Sequence, residues 1–345
     1  MIRIGLIGCG AVAESGHMPA LLRRGDFAPA AVCDVRPEHA ARLARAAGGV
    51  PAYTDWRAML DREPLDAVTL ALPPEVSPDV AVACLGRGLP VLDEKPLAST
   101  LADGRRIAEA VARSGGVYQV GFVLRYGDWV RELGRLARQI GTPSRTRVAV
   151  FDERLDRADV EHFGRIQGFL ADSSAMTHEG SHVVDYASLW NPSPWTRVVA
   201  EARRTEPDLR GPNHWTSTFD LADGSTLEVE IGWLLPELPP SSARIEGPRG
   251  RLELNPLTGE GRWEVAGDRG VFALPPLAPE WDRQYDAFAA AVARGSAEVS
   301  TIDDGLRALE ATLAAEAAAR AGRAVDRDEP ASSTNATRLP RRTRA

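Results

Sequence analysis

Apolar residues in the first part of the chain come in short runs separated by stretches of helical spacing. Ile2–Ile7, Ala28–Cys33, Ala67–Leu72, Pro90–Leu92 and Val117–Gly121 predict strands. Ala11–Arg24, Pro37–Ala47, Ser77–Gly86 and Ser99–Arg113 predict the helices between them. Ile4, Leu6, Ile7, Ala67, Val68, Leu70 and Leu72 show no polar alternation, as expected of strands buried on both faces. Strands alternating with helices predict a parallel sheet with helices on both sides.

The pattern changes after about residue 124. Asp128–Ile140 predicts a helix and Arg145–Phe151 a strand. In Thr226–Trp233 the period is two: Leu227, Val229, Ile231 and Trp233 share one face, Glu228 and Glu230 the other. Asp223-Gly224 just before it is a hairpin signal. Ser242–Ile245, Arg251–Leu254, Arg262–Val265 and Val271–Leu274 predict further strands, and Trp281–Arg294 and Asp303–Arg320 two helices. The expected architecture is α/β: an N-terminal doubly wound parallel sheet over 1–123, then an α+β unit over 124–327 with an open, mostly antiparallel sheet. The face with Leu227, Val229 and Ile231 is expected to need covering by another subunit. Residues 328–345, rich in Ser, Thr, Pro, Asn and Arg, are expected to be a disordered tail.

The chain has 345 residues, consistent with two domains at about 150 residues each. A net charge of −7 argues against nucleic acid as a partner. No apolar run approaches the roughly 18–20 residues that span a bilayer, and no signal-peptide pattern opens the chain. Cys9, Cys33 and Cys84 are too few and too scattered for a disulfide framework or a thiolate zinc site. A cytoplasmic location is the simplest expectation.

Gly8-Cys9-Gly10-Ala11-Val12-Ala13 reads G-x-G-x-x-A between the first strand and the first helix. Gly8 permits the tight turn, Gly10 lets a pyrophosphate approach the backbone, and Ala13 keeps helix and strand close. The helix N-terminus offers N–H groups to the phosphates. Asp34, after the second strand, is placed to accept from the adenosine ribose hydroxyls. Its charge favours NAD, with NADP as the alternative; Arg36 either covers the adenine or attracts a 2′-phosphate.

Of the 41 basic residues, 40 are Arg and one is Lys, at position 95. A lone ammonium in that background marks a site where a guanidinium does not serve. Lys95 lies just past the strand Pro90–Leu92, at the carboxyl edge where open parallel sheets bind ligands. There it is placed to hold a substrate hydroxyl and stabilise a developing alkoxide.

Through the Gly8–Ala13 turn, Glu94-Lys95-Pro96, Gly121-Phe122-Val123-Leu124-Arg125-Tyr126 and Asp304-Gly305-Leu306-Arg307-Ala308-Leu309, residues 1–326 resemble the glucose–fructose oxidoreductase / inositol dehydrogenase (Gfo/Idh/MocA) family. The resemblance implies a Rossmann domain followed by a domain whose open sheet builds homodimers or homotetramers. It implies hydride transfer between a nicotinamide and a secondary alcohol of a sugar, cyclitol or related polyol. The cofactor site it implies comprises Gly8, Gly10, Ala11, Val12, Asp34, Arg36, Leu72, Pro73, Glu94, Lys95, Gly121 and Arg125, with Lys95 orienting the substrate. Some relatives keep the cofactor and use transient oxidation for lyase or glycosidase chemistry, which is the alternative activity.

His178, His182 and Asp185 share one face of a predicted helix. The family pattern D-x-G-x-H-x-x-D is matched by Gly180, His182 and Asp185, and His178 stands where the first Asp belongs. His182 is the candidate general base. With His178 in the Asp position, either Glu179, Asp172 or Asp185 supplies the fixed charge, or His178 binds substrate or relays a proton. The same residues spell H-E-x-x-H, a zinc-peptidase signature. Gly180 inside it and the chain break at Asn191-Pro192-Ser193-Pro194, before Glu201, argue against that reading, and no metal is expected. His17 and His39 are expected to be structural. His162, His214, Tyr126, Arg125, Trp215 and Trp233 are candidate pocket walls.

Overall fold

The computed structural model describes residues 1–274, 280–295 and 299–328. The tail expected from 328 onward lies, beyond that residue, outside the described residues. The chain begins with β1 (Ile2–Ile7), a π-turn at Ala13–His17, α1 (Met18–Leu22), β2 (Phe27–Cys33), α2 (Pro37–Ala46), β3 (Ala52–Tyr53) and α3 (Trp56–Arg62). It continues through β4 (Ala67–Leu70), α4 (Ser77–Gly86), β5 (Val91–Asp93), α5 (Leu101–Ser114) and β6 (Tyr118–Val120). These six strands form one sheet in the order β3-β2-β1-β4-β5-β6. Every pairing is parallel. The order reverses between β1 and β4, and the crevice outside the carboxyl ends at that point is where such sheets bind dinucleotides.

The first helix departs from the expected continuous run over 11–24. Pro19 has no N–H to give to the turn before it, one local reason for the wider π-turn. That turn brings Gly16 flat against the Trp281 ring, where a Cβ would lie 2.5 Å from a ring carbon. It also places His17 in the interior. β3 and α3 give little sequence signal: β3 is two residues at the sheet edge, and α3 is announced mainly by Asp55, whose side chain accepts from the Arg57 N–H.

The second part runs through α6 (Asp128–Ile140), β7 (Arg145–Arg154), α7 (Val160–Asp172), α8 (Ala175–Trp190), β8 (Trp195–Arg203), β9 (His214–Leu221) and β10 (Thr226–Leu235). Then come β11 (Ser242–Gly247), β12 (Gly250–Leu254), β13 (Glu260–Val265), β14 (Asp268–Ala273), α9 (Glu280–Arg294), α10 (Ile302–Ala321) and β15 (Val325–Asp326). The nine-stranded sheet has the order β14-β13-β12-β11-β7-β10-β9-β8-β15. It is antiparallel except for the β7–β10 pair.

One expectation is corrected here. Leu227, Val229 and Ile231 do share a face, but helices of the same chain bury it; α8 packs on β10, and α10 on α8 and β8. The apolar face makes no demand for a partner subunit. The opposite face is polar and carries cross-strand ion pairs such as Arg147–Glu230 at 2.8 Å and Arg244–Glu253 at 2.6 Å. Exposed pairs of this kind each contribute about 0–1 kcal/mol.

α9 belongs to neither face of that sheet. Its Tyr285 and Phe288 enter the core formed by Ile4, Leu6, Met18, Leu21 and Phe27 of the first unit. α10 packs against both α5 and α8, so it ties the two sheets together. Among the described residues, no helix is long and apolar enough to cross a membrane.

Candidate active site

The turn after β1 has the geometry a pyrophosphate needs. Gly8 has φ +93°, and a Cβ there would lie 2.1 Å from the Ala71 carbonyl oxygen and beside the Leu72 side chain. Only glycine fits. At Gly10 nothing lies within 4 Å of a built Cβ, so the backbone is open to a ligand. Ala11 and Val12 follow at the exposed start of the helix. The Asp34 carboxylate accepts from the Cys9 N–H at 2.8 Å and from the Arg36 N–H at 2.9 Å, which fastens β2 to the turn. One backbone donor on each oxygen leaves further acceptor directions for ribose hydroxyls. The Arg36 Nε stands 3.5 Å from the same carboxylate. The Pro73 carbonyl accepts the Val76 and Ser77 N–H groups at the start of α4. These residues fit a dinucleotide.

β5 delivers Asp93, Glu94 and Lys95 in succession. Asp93 is fully buried, receives the Ser77 hydroxyl at 2.5 Å and the Tyr118 hydroxyl at 2.8 Å, and burial pushes its carboxyl up to about 7. Glu94 Oε1 is 3.0 Å from His17 Nε2. His17 Nδ1 meets the Tyr285 hydroxyl at 2.9 Å, which meets the Thr69 hydroxyl at 3.1 Å. His17 is thus structural, as expected, but its structure is the support of the Glu94-Lys95 turn. Gly121 completes the fit, since a Cβ there would lie 2.7 Å from Glu94 Oε1. The Lys95–Pro96 bond is cis. Lys95 Nζ donates to the His178 carbonyl at 3.3 Å.

α8 faces that ammonium. It starts at Ser174, whose hydroxyl accepts from the Thr177 N–H, and it buries His178, Glu179, His182 and Asp185. Lys95 therefore touches α8 at the His178 carbonyl, and its charge reaches His182 one turn on. Burial first, and then the Lys95 charge, push His178 down to about 3 and His182 well below the usual imidazole range. Both are neutral imidazoles. His178 packs its ring on Phe169 and Trp233, at centroid distances of 4.7 and 5.9 Å. His182 Nδ1 is buried without a hydrogen-bond partner among the described residues.

Other candidates fall elsewhere. The Arg125 guanidinium is held by Asp185 and, at 3.1 Å, by Asp304, joining α8 to α10. Burial raises the Asp185 carboxyl to about 6 against the pull of Arg125. His214 stacks on Phe151 and bonds Glu230 at 3.1 Å on the polar sheet face, and Trp215 donates to the Pro212 carbonyl. The Tyr126 hydroxyl accepts from Gln119 at 3.2 Å. Among the described residues no group of three or more His, Cys, Asp or Glu side chains is arranged to hold a metal ion.

Sequence reasoning missed Asp152, at the end of β7. The available signal was a polar residue continuing the face of Val148 and Val150. Asp152 is an exposed residue whose carboxyl is close enough to Lys95 and Glu153 to feel both charges. Partial desolvation and Glu153 raise its carboxyl, while Lys95 pulls it down. Glu179 is pushed up to about 8 by burial first and then by Asp152, again against Lys95. Glu153 is 3.0 Å from His162.

These shifts set a pH dependence. Burial raises the carboxyls of Asp93 and Glu280 to about 7 and of Glu179 to about 8. Unfolded, they ionise near pH 4. Between pH 6.5 and 8.5 the native state therefore holds more protons than the unfolded state, and stability falls as pH rises. The buried, neutral His178 and His182 act in the opposite direction near the lower end of that window, where an unfolded imidazole is still about half protonated, but the three carboxyls outweigh them. Urea unfolding of the cofactor-free protein is expected to give a lower midpoint at pH 8.5 than at 6.5; a rising midpoint would contradict the buried carboxyls.

A parallel sheet with an open glycine turn, an acid after β2 and a lysine at the carboxyl edge define a dinucleotide-binding α/β protein. Residues 2–122 match the model of an oxidoreductase family with an NAD-binding Rossmann fold, and the chain belongs to this Gfo/Idh/MocA family. It is 34% identical over 241 residues to an inositol 2-dehydrogenase of Saccharopolyspora erythraea, covering 67% of this chain and 66% of that one. With D-xylose 1-dehydrogenase (NADP(+)) 2 of Haloferax volcanii it shares 27% over 332 residues, 94% of this chain and 99% of the relative. The matched stretch spans less than two thirds of the inositol dehydrogenase. An oxidoreductase from Agrobacterium radiobacter, solved with NAD+, L-tartaric acid and magnesium, has the same fold, with a TM-score of 0.84 at 20% identity over 94% of this chain and 98% of that one.

Proposed function

We propose that this chain is an NAD(P)-dependent oxidoreductase that transfers a hydride between the nicotinamide and a secondary alcohol of a sugar, cyclitol or related polyol. The observation that carries this reading is the meeting of Lys95 Nζ with α8, 3.3 Å from the His178 carbonyl, in one cluster with His182. The nicotinamide, when bound, supplies the hydride acceptor or donor.

The chain's own groups do the rest. The His178 carbonyl takes one of the three Lys95 N–H donors and fixes the ammonium. The remaining donors hold the substrate oxygen and stabilise the charge it gains as its proton leaves. The neutral His182 imidazole takes that proton. In this reading His178 acts through its backbone oxygen and its ring packing, so its place in the Asp position removes a charge without removing a contact to Lys95. The named relatives, which are inositol and xylose dehydrogenases, support a polyol or sugar substrate. The reading is tested by an oxidation screen of inositols and sugars with NAD and NADP in parallel, followed at 340 nm; absence of nicotinamide reduction with every alcohol would overturn it.

NAD is the proposed first choice because Asp34 stands where a 2′-phosphate would be repelled. Asp34→Ala is expected to weaken NAD by about tenfold, the equivalent of roughly 1.4 kcal/mol, and NADP by much less. Titration of protein fluorescence with each dinucleotide checks this; an equal loss for both would dismiss the ribose role.

A further inference from the structure

Lys95 is held at both ends, and the backbone end is held from far along the chain. Its Nζ donates to the His178 carbonyl at 3.3 Å, and its N–H donates to Glu94 Oε2 at 3.3 Å. The other oxygen of that carboxylate, Oε1, is 3.0 Å from His17 Nε2. His17 Nδ1 lies 2.9 Å from the Tyr285 hydroxyl, and that hydroxyl lies 3.1 Å from Thr69 Oγ1. Four hydrogen bonds thus run in a row from Thr69 to the Lys95 N–H. His17, Tyr285 and Thr69 are fully buried.

With a neutral His17, one arrangement of protons fills every bond in this row. A carboxylate only accepts, so Nε2 carries the imidazole proton. Nδ1 then accepts from the Tyr285 O–H, and the Tyr285 oxygen accepts from the Thr69 O–H. In a low-dielectric interior such bonds strengthen one another, and losing one partner leaves a buried polar group unpaired. Packing fences the row on both sides. A Cβ on Gly121 would lie 2.7 Å from Glu94 Oε1, and the Trp281 ring meets His17 edge-on at a centroid distance of 4.8 Å. Trp281 and Tyr285 both belong to α9. Arg24, just after α1, ties that helix down through the Asp282 carbonyl at 2.8 Å and Asp286 at 2.7 Å.

A lysine amine sits on a flexible four-carbon stem, so it is placed only as well as its backbone and its far contact allow. Misplacing a reacting group by about 1 Å costs on the order of 10²-fold in rate. Resting on the dehydrogenase reading, in which Lys95 donates to the reacting oxygen, we infer that Tyr285 and His17 are positioning residues for Lys95. Tyr285 sets which nitrogen of His17 carries the proton, His17 orients the Glu94 carboxylate, and that carboxylate fixes the Lys95 backbone. A helix some 190 residues further along the chain thereby aligns the amine.

The sole lysine makes this directly observable. Full-length protein labelled with 15N-lysine gives one backbone amide resonance, and that amide is the last bond of the row. Tyr285→Phe keeps the ring that packs on Phe27 and removes only the hydroxyl. It is expected to shift the resonance and to lower kcat by about tenfold, part of the cost of a misplaced group, with KM and NADH affinity within about twofold. Thr312→Val removes a buried hydroxyl bonded only within α10, and is expected to change neither. In a Lys95→Ala background, Tyr285→Phe is expected to cost less than about twofold, because groups that act through one another do not add. Thr69→Val, one bond further out, is expected to shift the resonance in the same direction by less, and it carries the test if Tyr285→Phe does not fold. The inference is overturned if the resonance of the folded variant stays at its wild-type position, if Thr312→Val moves it as far, or if the Tyr285 hydroxyl matters as much to turnover without Lys95 as with it. The resonance decides alone where Lys95→Ala leaves no measurable turnover. Where the wild-type protein turns over no alcohol, the dehydrogenase reading fails, and the resonance still decides whether Tyr285 positions Lys95.

Discussion

Lys95→Arg is expected to lose about a hundredfold or more of turnover, the range seen when one preorganised donor to a developing oxyanion is removed, while NAD affinity stays within about twofold. The charge is conserved, so the loss measures geometry. Lys95 Nζ stands 3.3 Å from the His178 carbonyl, on a backbone braced by the His17–Glu94 contact. A guanidinium is planar and longer, and cannot place one N–H on that carbonyl and another on a substrate oxygen in the same volume. Steady-state kinetics with a turned-over alcohol, together with NADH fluorescence titration, separates the two effects. Unimpaired turnover in the arginine variant would remove the principal role assigned to this residue.

His182→Asn is expected to lower kcat by about 10²–10⁴, the usual contribution of a positioned general base, with little change in cofactor binding. It also carries a pH prediction with a definite sign. Burial and Lys95 hold His182 well below the imidazole range, so it stays unprotonated as the medium is acidified. The acid limb of kcat/KM that reports His182 therefore lies below pH 6.5 rather than at it. A limb at the ordinary imidazole position, lost in the Asn variant, would show that His182 is solvated and that the buried cluster is misassigned.

The parallel sheet was legible because buried strands leave uninterrupted apolar runs, and the glycine turn because Gly8 and Gly10 each answer a steric demand. Lys95 was legible from composition alone. What was not legible depended on partners distant in sequence. Asp152 becomes part of the site only once β7 is seen to end beside α8, and Glu179 has meaning only beside Asp152 and Lys95. The Leu227–Ile231 face was recognised, but which helices cover it is decided by the packing of α8 and α10, which periodicity within one strand does not report. The π-turn was hidden because its cause, Pro19, also suits the first turn of an ordinary helix.

The return of α9 to the first sheet has a bearing on engineering. Tyr285 and Phe288 fill the layer above Ile4, Leu6 and Phe27, so a fragment cut at residue 123 would present those side chains to water. A chimera that borrows a nucleotide-binding half from a relative therefore has to transplant two stretches of sequence some 150 residues apart, residues 2–122 and Glu280–Arg294, as a single graft.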